Sequence, residues 1–252
     1  MLNCNVTSFK AGFFYDNETA GGSSVTINEL SFSNIYVSDI QGVGGNGFDV
    51  RVLSRLGNIS VTESTFSNGF RTFFRIDSAP TAKITFNNNT LNNLASGDSG
   101  SNNKGLFYIG NKAADDTPIV TEFIMRNNLF LNMDEYDDYT IFFTDDNSLP
   151  TDIANNWFYN YGAGFFEESK LSETESIAGA GGILSSDPCV DSERGTFNIT
   201  NSTLINANVG DPRWFADYVP APVPDLEPVE YGYSWTLNDT YTFYDVVDQS
   251  TV

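Results

Sequence analysis

Along most of the chain, apolar and polar residues alternate for a few positions, stop at an asparagine, and resume on a new phase. The phrases are VTINELSFSNI (Val25 to Ile35), ISVTESTFSNG (Ile59 to Gly69), ITFNNNTLNNL (Ile84 to Leu94), FIMRNNLFLNM (Phe123 to Met133), TDIANNWFYNY (Thr151 to Tyr161) and FNITNSTLINA (Phe197 to Ala207). The opening LNCNVTSFKAG fits the same pattern without its final asparagine, which makes seven copies. Aligned on an apolar anchor, they bring Phe32, Phe66, Leu91, Phe130, Phe158 and Leu204 into one column. Asparagine follows two residues later at Asn34, Asn68, Asn93, Asn132, Asn160 and Asn206. Alternation with period two marks a strand with one buried face. The polar break before the anchor, often Asn88, Asn127, Asn155 or Asn201, reads as a turn.

Each copy is followed by a second apolar phrase: GFFYDN from Gly12, FDVRVLS from Phe48, TFFRIDS from Thr72, GLFYIGN from Gly105, TIFFTDDN from Thr140 and GFFEES from Gly164. One unit is therefore strand, asparagine turn, short strand, loop, strand. Spacing between anchors is uneven, with the strand core constant and the loops absorbing the variation, as a solenoid permits. Three-strand units stacked on one another form a parallel β-helix, in which equivalent residues make columns and asparagines can form an amide ladder. The crossover rule for parallel strands makes the coil right-handed. The fold expected is all-β, a right-handed parallel β-helix (solenoid) of about seven coils over residues 1–214.

After Trp214 the composition shifts. VPAPVPDLEPV (Val219 to Val229) is a proline-rich linker, and EYGYSWTLNDTYTFYDV after it alternates Tyr231, Tyr233 and Trp235 before an Asn238-Asp239 turn. Residues 215–252 are thus expected as a linker and an aromatic β-hairpin that packs on the helix. The hairpin's other reading is a platform for sugar rings.

Charge and missing residue types narrow the chemistry. The 252 residues carry a formal charge of −21, which disfavours nucleic acid as a partner. It also disfavours an anionic polysaccharide, unless a divalent cation bridges the two. There is no histidine, which excludes Ser-His-Asp and Cys-His catalysis and HExxH zinc sites within this sequence. The two cysteines, Cys4 and Cys189, cannot build a disulfide framework; Cys4 reads as a small buried hydrophobe. No apolar run is long enough to span a membrane, and MLNCNVTSF opens on a strand-like pattern rather than a signal peptide. A trimmed start, or origin within a longer protein with further domains, would account for that.

The NNLFLN phrases, closed by GDPRW at Gly210 to Trp214, resemble a group of Bacteroidetes surface and secreted proteins with β-helix domains of the pectate-lyase-like superfamily that end in this motif. The resemblance covers about Leu2 to Trp214. It implies an extracellular or cell-surface location and a carbohydrate-related role with polysaccharide as partner. It transfers no catalytic residue, because no lyase motif is matched.

Ligand sites on a solenoid sit where one outward strand face meets long loops. The second phrases supply such a face, with Arg51, Arg75, Asp77, Tyr108, Asp145, Asp146, Glu167 and Glu168. A lyase reading makes Arg51 or Arg75 the base that removes the proton next to a uronate carboxylate, with Asp77, Asp145 and Asp146 holding calcium. A binding reading uses Tyr108, Glu167, Tyr233 and Trp235 as ligand contacts. A hydrolase reading would use the Asp145–Asp146 pair with Glu167, but lacks the Asn-Thr-Asp and Gly-His-Gly segments of polygalacturonase-type enzymes. The acidic run MDEYDDY (Met133 to Tyr139) lacks the spacing and glycine of an EF-hand loop. Taken together, the sequence points to a non-catalytic polysaccharide-binding or scaffold module, with a calcium-dependent lyase and an adhesive stalk as alternatives.

Overall fold

The computed structural model describes residues 4–7, 14–16, 26–40, 46–50, 55–69, 72–94, 105–110, 118–133, 140–144, 148–162, 164–167 and 169–219. Strands follow one another in a three-beat rotation. The chain lays down β1 (Asn5–Thr7), β2 (Phe14–Asp16) and β3 (Thr26–Ser33), then β4 (Tyr36–Ile40), β5 (Phe48–Val50) and β6 (Arg55–Thr62). Next come β7 (Thr65–Gly69), β8 (Phe74–Ile76) and β9 (Thr81–Asn87), then β10 (Thr90–Leu94), β11 (Gly105–Ile109) and β12 (Val120–Arg126). The last coil has β13 (Leu129–Met133), β14 (Thr140–Thr144) and β15 (Asp152–Ala154), with β16 (Trp157–Tyr161) after it.

Every third strand pairs in parallel. The first sheet runs β1-β4-β7-β10-β13-β16 and is extended by β17 (Gly182–Leu184). The second runs β2-β5-β8-β11-β14, and the third β3-β6-β9-β12-β15. This is a parallel β-solenoid of about four turns, fewer than the seven coils expected.

Registers show why these residues repeat. The second sheet stacks Phe48, Phe74, Phe107 and Phe142 in one inner row, all of them fully buried. The first stacks Val37, Phe66, Leu91, Phe130 and Phe158, with the Phe130 and Phe158 rings 4.7 Å apart and nearly parallel. Truncating one such Phe to Ala would cost about 3–5 kcal/mol.

Between the third and first sheets the backbone turns through left-handed residues at Asn34, Glu63, Asn88, Asn127 and Asn155. A second left-handed column, Asp39, Asn68, Asn93, Asn132 and Asn160, lies within the first-sheet strands. Asparagine tolerates this conformation better than most residues with a Cβ. The residue after the first corner forms a buried ladder. Asn156 Oδ1 accepts from Asn128 Nδ2 at 2.9 Å and Asn128 Oδ1 from Asn89 Nδ2 at 3.1 Å. Each of these oxygens also accepts the backbone N–H of the preceding coil. The ladder thereby satisfies donors at a buried corner that would each cost about 1–3 kcal/mol if left unpaired.

Three expectations need correction. The phrase Val25 to Ile35 was aligned one strand early: Phe32 pairs with Val61, and it is Val37 that shares a row with Phe66. Tertiary register decides this, because Asn34 and Asn68 look alike in sequence but occupy different corner columns. The phrase from Phe197 to Ala207 is not a coil. Its β19 (Thr196–Ile199) pairs antiparallel with β18 (Cys189–Asp191), and Leu204 sits on a short helix, Ser202–Asn206, with Asn201 as its N-cap. GFFEES is not a strand either: Gly164–Glu167 forms a helical turn, α1, and Glu173–Ser176 forms α2 with a Ser172–Glu175 capping box. Both cysteines are free; Cys189 is buried in β18 and Cys4 half-buried against the core. No described helix is long and apolar enough to cross a membrane. Of the linker and hairpin expected over 215–252, residues 220–252 lie outside the described residues.

Candidate functional site

The middle residues of three second-sheet strands form one outward row: Asp49, Arg75 and Tyr108 are in register across β5, β8 and β11. Their neighbours Phe48, Val50, Phe74, Ile76, Phe107 and Ile109 point into the core. Alternation therefore carries Asp49, Arg75 and Tyr108 to the outer face.

Asp49 and Tyr108 are buried, and the half-buried Arg75 engages both. Arg75 Nε donates to Asp77 Oδ1 at 2.6 Å and Nη2 to Asp77 Oδ2 at 2.8 Å, a bidentate fork. Asp49 Oδ1, on the neighbouring strand, lies 4.0 Å from Arg75 Nε. The Arg75 guanidinium carbon is 5.7 Å from the centre of the Tyr108 ring. The Arg75 side chain is 11% exposed and that of Asp77 is fully buried. Asn46 Nδ2 donates to Asp49 Oδ2 at 2.9 Å. The cluster is thus a cation with two carboxylates beside it and an aromatic face under it.

The sequence brought Arg75, Asp77 and Tyr108 to notice, and the structure gathers all three. It adds Asp49 and Asn46, which sequence reasoning missed; the signal was there in FDV, where Asp49 holds the position that Arg75 holds in FRI. Glu167 lies on α1 rather than on a strand of this sheet. Arg51, Asp145, Asp146, Glu168, Tyr233 and Trp235 lie outside the described residues.

The geometry bears directly on the lyase chemistry. Two of the guanidinium's N–H groups are committed to Asp77, so Arg75 would have to leave that fork before serving as a base. Both oxygens of Asp77 accept from Arg75, so calcium at Asp77 would have to displace the guanidinium. Among the described residues no group of three Asp, Glu, Cys or His side chains gathers as metal ligands do.

A second polar cluster holds the GDPRW segment. Asp211 is buried, accepts from Thr65 Oγ1 at 2.7 Å and from the Arg213 backbone N–H at 3.1 Å, and lies 2.6 Å from Arg213 Nε. Arg213 Nη2 donates to the Ile35 carbonyl at 2.8 Å, and Trp214 Nε1 donates to Thr65 Oγ1 at 2.7 Å. Burial pushes the Asp211 carboxyl up to about 6, against the opposing pull of Arg213 and the Thr65 hydroxyl. Gly210 turns with φ +88°, and a Cβ there would come within 2.9 Å of Thr90 Oγ1. The motif fastens the segment from Cys189 to Trp214 across the outer face of the first sheet. There Leu129 and Leu131 pack with Cys189, Phe197, Leu204 and Val209. Burial, with Asp187 nearby, pushes the Cys189 thiol well up, which keeps it a packing group rather than a nucleophile.

No family model matches the chain, and no curated protein or solved structure matches it either.

Proposed function

We propose that this chain is a non-catalytic, glycan-associated scaffold module of an extracellular or cell-surface protein, built on a right-handed parallel β-helix of the pectate-lyase-like kind. The observation that supports this reading is the bidentate Arg75–Asp77 pair beside Tyr108. In a site for turnover the base is poised toward substrate; here the candidate base is bound by its own neighbour. What the patch can offer a sugar hydroxyl is the part of Arg75 that stays exposed, since Asp77 is fully buried and Tyr108 nearly so. A ladder-stacked solenoid supplies the rigid frame that carries such a face.

A polysaccharide panel tests the reading. Binding of the intact chain to at least one glycan, weakened by Tyr108→Ala, is the expected outcome; a panel with no binding leaves the stalk reading in its place. The calcium-dependent lyase is kept as the second reading for one reason: Arg75, Asp77 and Asp49 do converge on one patch of the second sheet.

A further inference from the structure

Buried polar side chains normally find a hydrogen-bond partner. Among the described residues, the buried side-chain oxygens with no partner in the protein are Asn46 Oδ1, Thr72 Oγ1 and Thr140 Oγ1. All three residues are at most 2% exposed. They are not scattered. Each stands two residues before a Phe of the inner second-sheet row: Asn46 before Phe48, Thr72 before Phe74 and Thr140 before Phe142. The remaining member of that register is Gly105, two residues before Phe107 and paired with Thr140. The Gly47 N–H donates to the Thr72 carbonyl at 2.8 Å, which ties the first two coils together at this point. Asn46, Thr72, Gly105 and Thr140 therefore form one row leading into the second sheet, in successive coils about 4.8 Å apart.

The asparagine ladder shows what this row lacks. There Asn128 links Asn89 to Asn156 through its own amide. Gly105 has no side chain with which to link Thr72 to Thr140. Nor can the Asn46 amide turn over to relieve its oxygen. Its Nδ2 donates to Asp49 Oδ2 at 2.9 Å, and a flipped amide would set Oδ1 against that carboxylate. The two threonine hydroxyls each carry a proton that needs an acceptor and lone pairs that need a donor.

We infer that this row is a binding site for internal water, which donates to Asn46 Oδ1 and bonds the hydroxyls of Thr72 and Thr140. Thr72 and Thr140 are two coils apart, about 9.6 Å. A single water joins groups no more than about 5.6 Å apart, so each hydroxyl holds its own water. Water fits the row better than a cation does. A cation would use the oxygen lone pairs but leave both threonine protons without an acceptor, whereas water donates and accepts. The carboxylate that Asn46 touches, Asp49, already faces Arg75. Water on Oδ1 also holds the Asn46 amide in the orientation that donates to Asp49, so the row positions one carboxylate of the outer cluster. The inference stands whether or not that cluster binds glycan.

Two measurements on the intact 252-residue chain test this. A crystal structure fine enough to show ordered water should place a water oxygen about 2.7–3.2 Å from each of Asn46 Oδ1, Thr72 Oγ1 and Thr140 Oγ1. A dry row, or oxygens that bond protein groups instead, overturns the inference. Thr72→Val and Thr140→Val keep the branched shape and remove the hydroxyl. A hydroxyl bonded to water predicts a Tm lowered by about 2–4 °C in each variant, because the water loses a partner. A hydroxyl buried dry predicts a raised Tm, because Val removes an unpaired group. An unchanged or raised Tm in either variant overturns the inference. The same melts are run in sodium, potassium, calcium and choline chloride at equal ionic strength. A Tm raised by one metal cation over choline, with the gain lost in Thr140→Val, would make the ligand a cation and overturn it too; equal values support water.

Discussion

Two outer faces of this solenoid use the same strand positions in opposite ways. On the first sheet, the outward row Tyr36, Thr65, Thr90, Leu129 and Trp157 lies under the segment that follows β17, and the GDPRW segment ties that cover down through Thr65 and Thr90. On the second sheet, the outward row carries Asp49, Arg75 and Tyr108, which hold one another. Outward apolar and aromatic residues on a coil therefore do not mark a ligand platform by themselves. On the first sheet they mark the seat of the chain's own C-terminal segment. What distinguishes the second sheet is charge: two carboxylates and a guanidinium in a space with little water.

That difference predicts where substitution costs most. Arg75→Met removes the guanidinium that both oxygens of the buried Asp77 accept from, and should destabilise by about 3–5 kcal/mol in urea unfolding. A double-mutant cycle with Asp77→Asn should recover much of that loss, because the stranded charge is gone. A loss below about 1 kcal/mol would show that the second face is solvated and not the buried cluster described.

On the covered face the largest effect is tied to pH. The folded Asp211 carboxyl titrates near 6 against 3.8 when unfolded, so the folded state holds the proton more tightly. Stability should therefore fall as pH rises from about 4 to about 6, and level off above, by on the order of 2–3 kcal/mol in all. The Asp211→Asn variant should lose that slope. A slope of opposite sign would mean that Arg213 outweighs burial.

Gly210→Ala should cost about 1–3 kcal/mol, from the left-handed backbone and the contact with Thr90. Faster exchange in residues 182–219, with β5, β8 and β11 unchanged, would locate the damage on the covered face. The smallest effect belongs to neither face. Lys83→Ala breaks an exposed pair with Glu122 on the third sheet and should change stability by less than about 0.5 kcal/mol.

The solenoid was legible in the sequence because its rows repeat: Phe66, Leu91, Phe130 and Phe158 announce themselves at the same point of each phrase, with an asparagine two residues on. Register was less legible. Phe32 and Asn34 imitate the anchor and its asparagine, yet belong to the strand before, since Asn34 and Asn68 meet the same backbone demand at two different corners. Phe197 to Ala207 imitates a coil as well, but Asn201 caps a helix instead of turning between strands. Local sequence gives a turn; only the neighbouring coil decides which turn. Of the site, Arg75, Asp77 and Tyr108 could be found from the second phrases. Asp49 was open to the same comparison, FDV beside FRI, but the burial of the cluster was not, because mutual engagement across coils depends on which residues share a row.

The reading of the second face as a binding or scaffold surface meets its most direct test in turnover. The intact chain is incubated with a panel of uronate polymers and calcium while ultraviolet absorbance is followed for the unsaturated product of a lyase. With Arg75 held by Asp77, no absorbance should develop on any polymer. Absorbance that grows with enzyme concentration, needs calcium and disappears in Arg75→Lys would contradict this and make the chain a lyase.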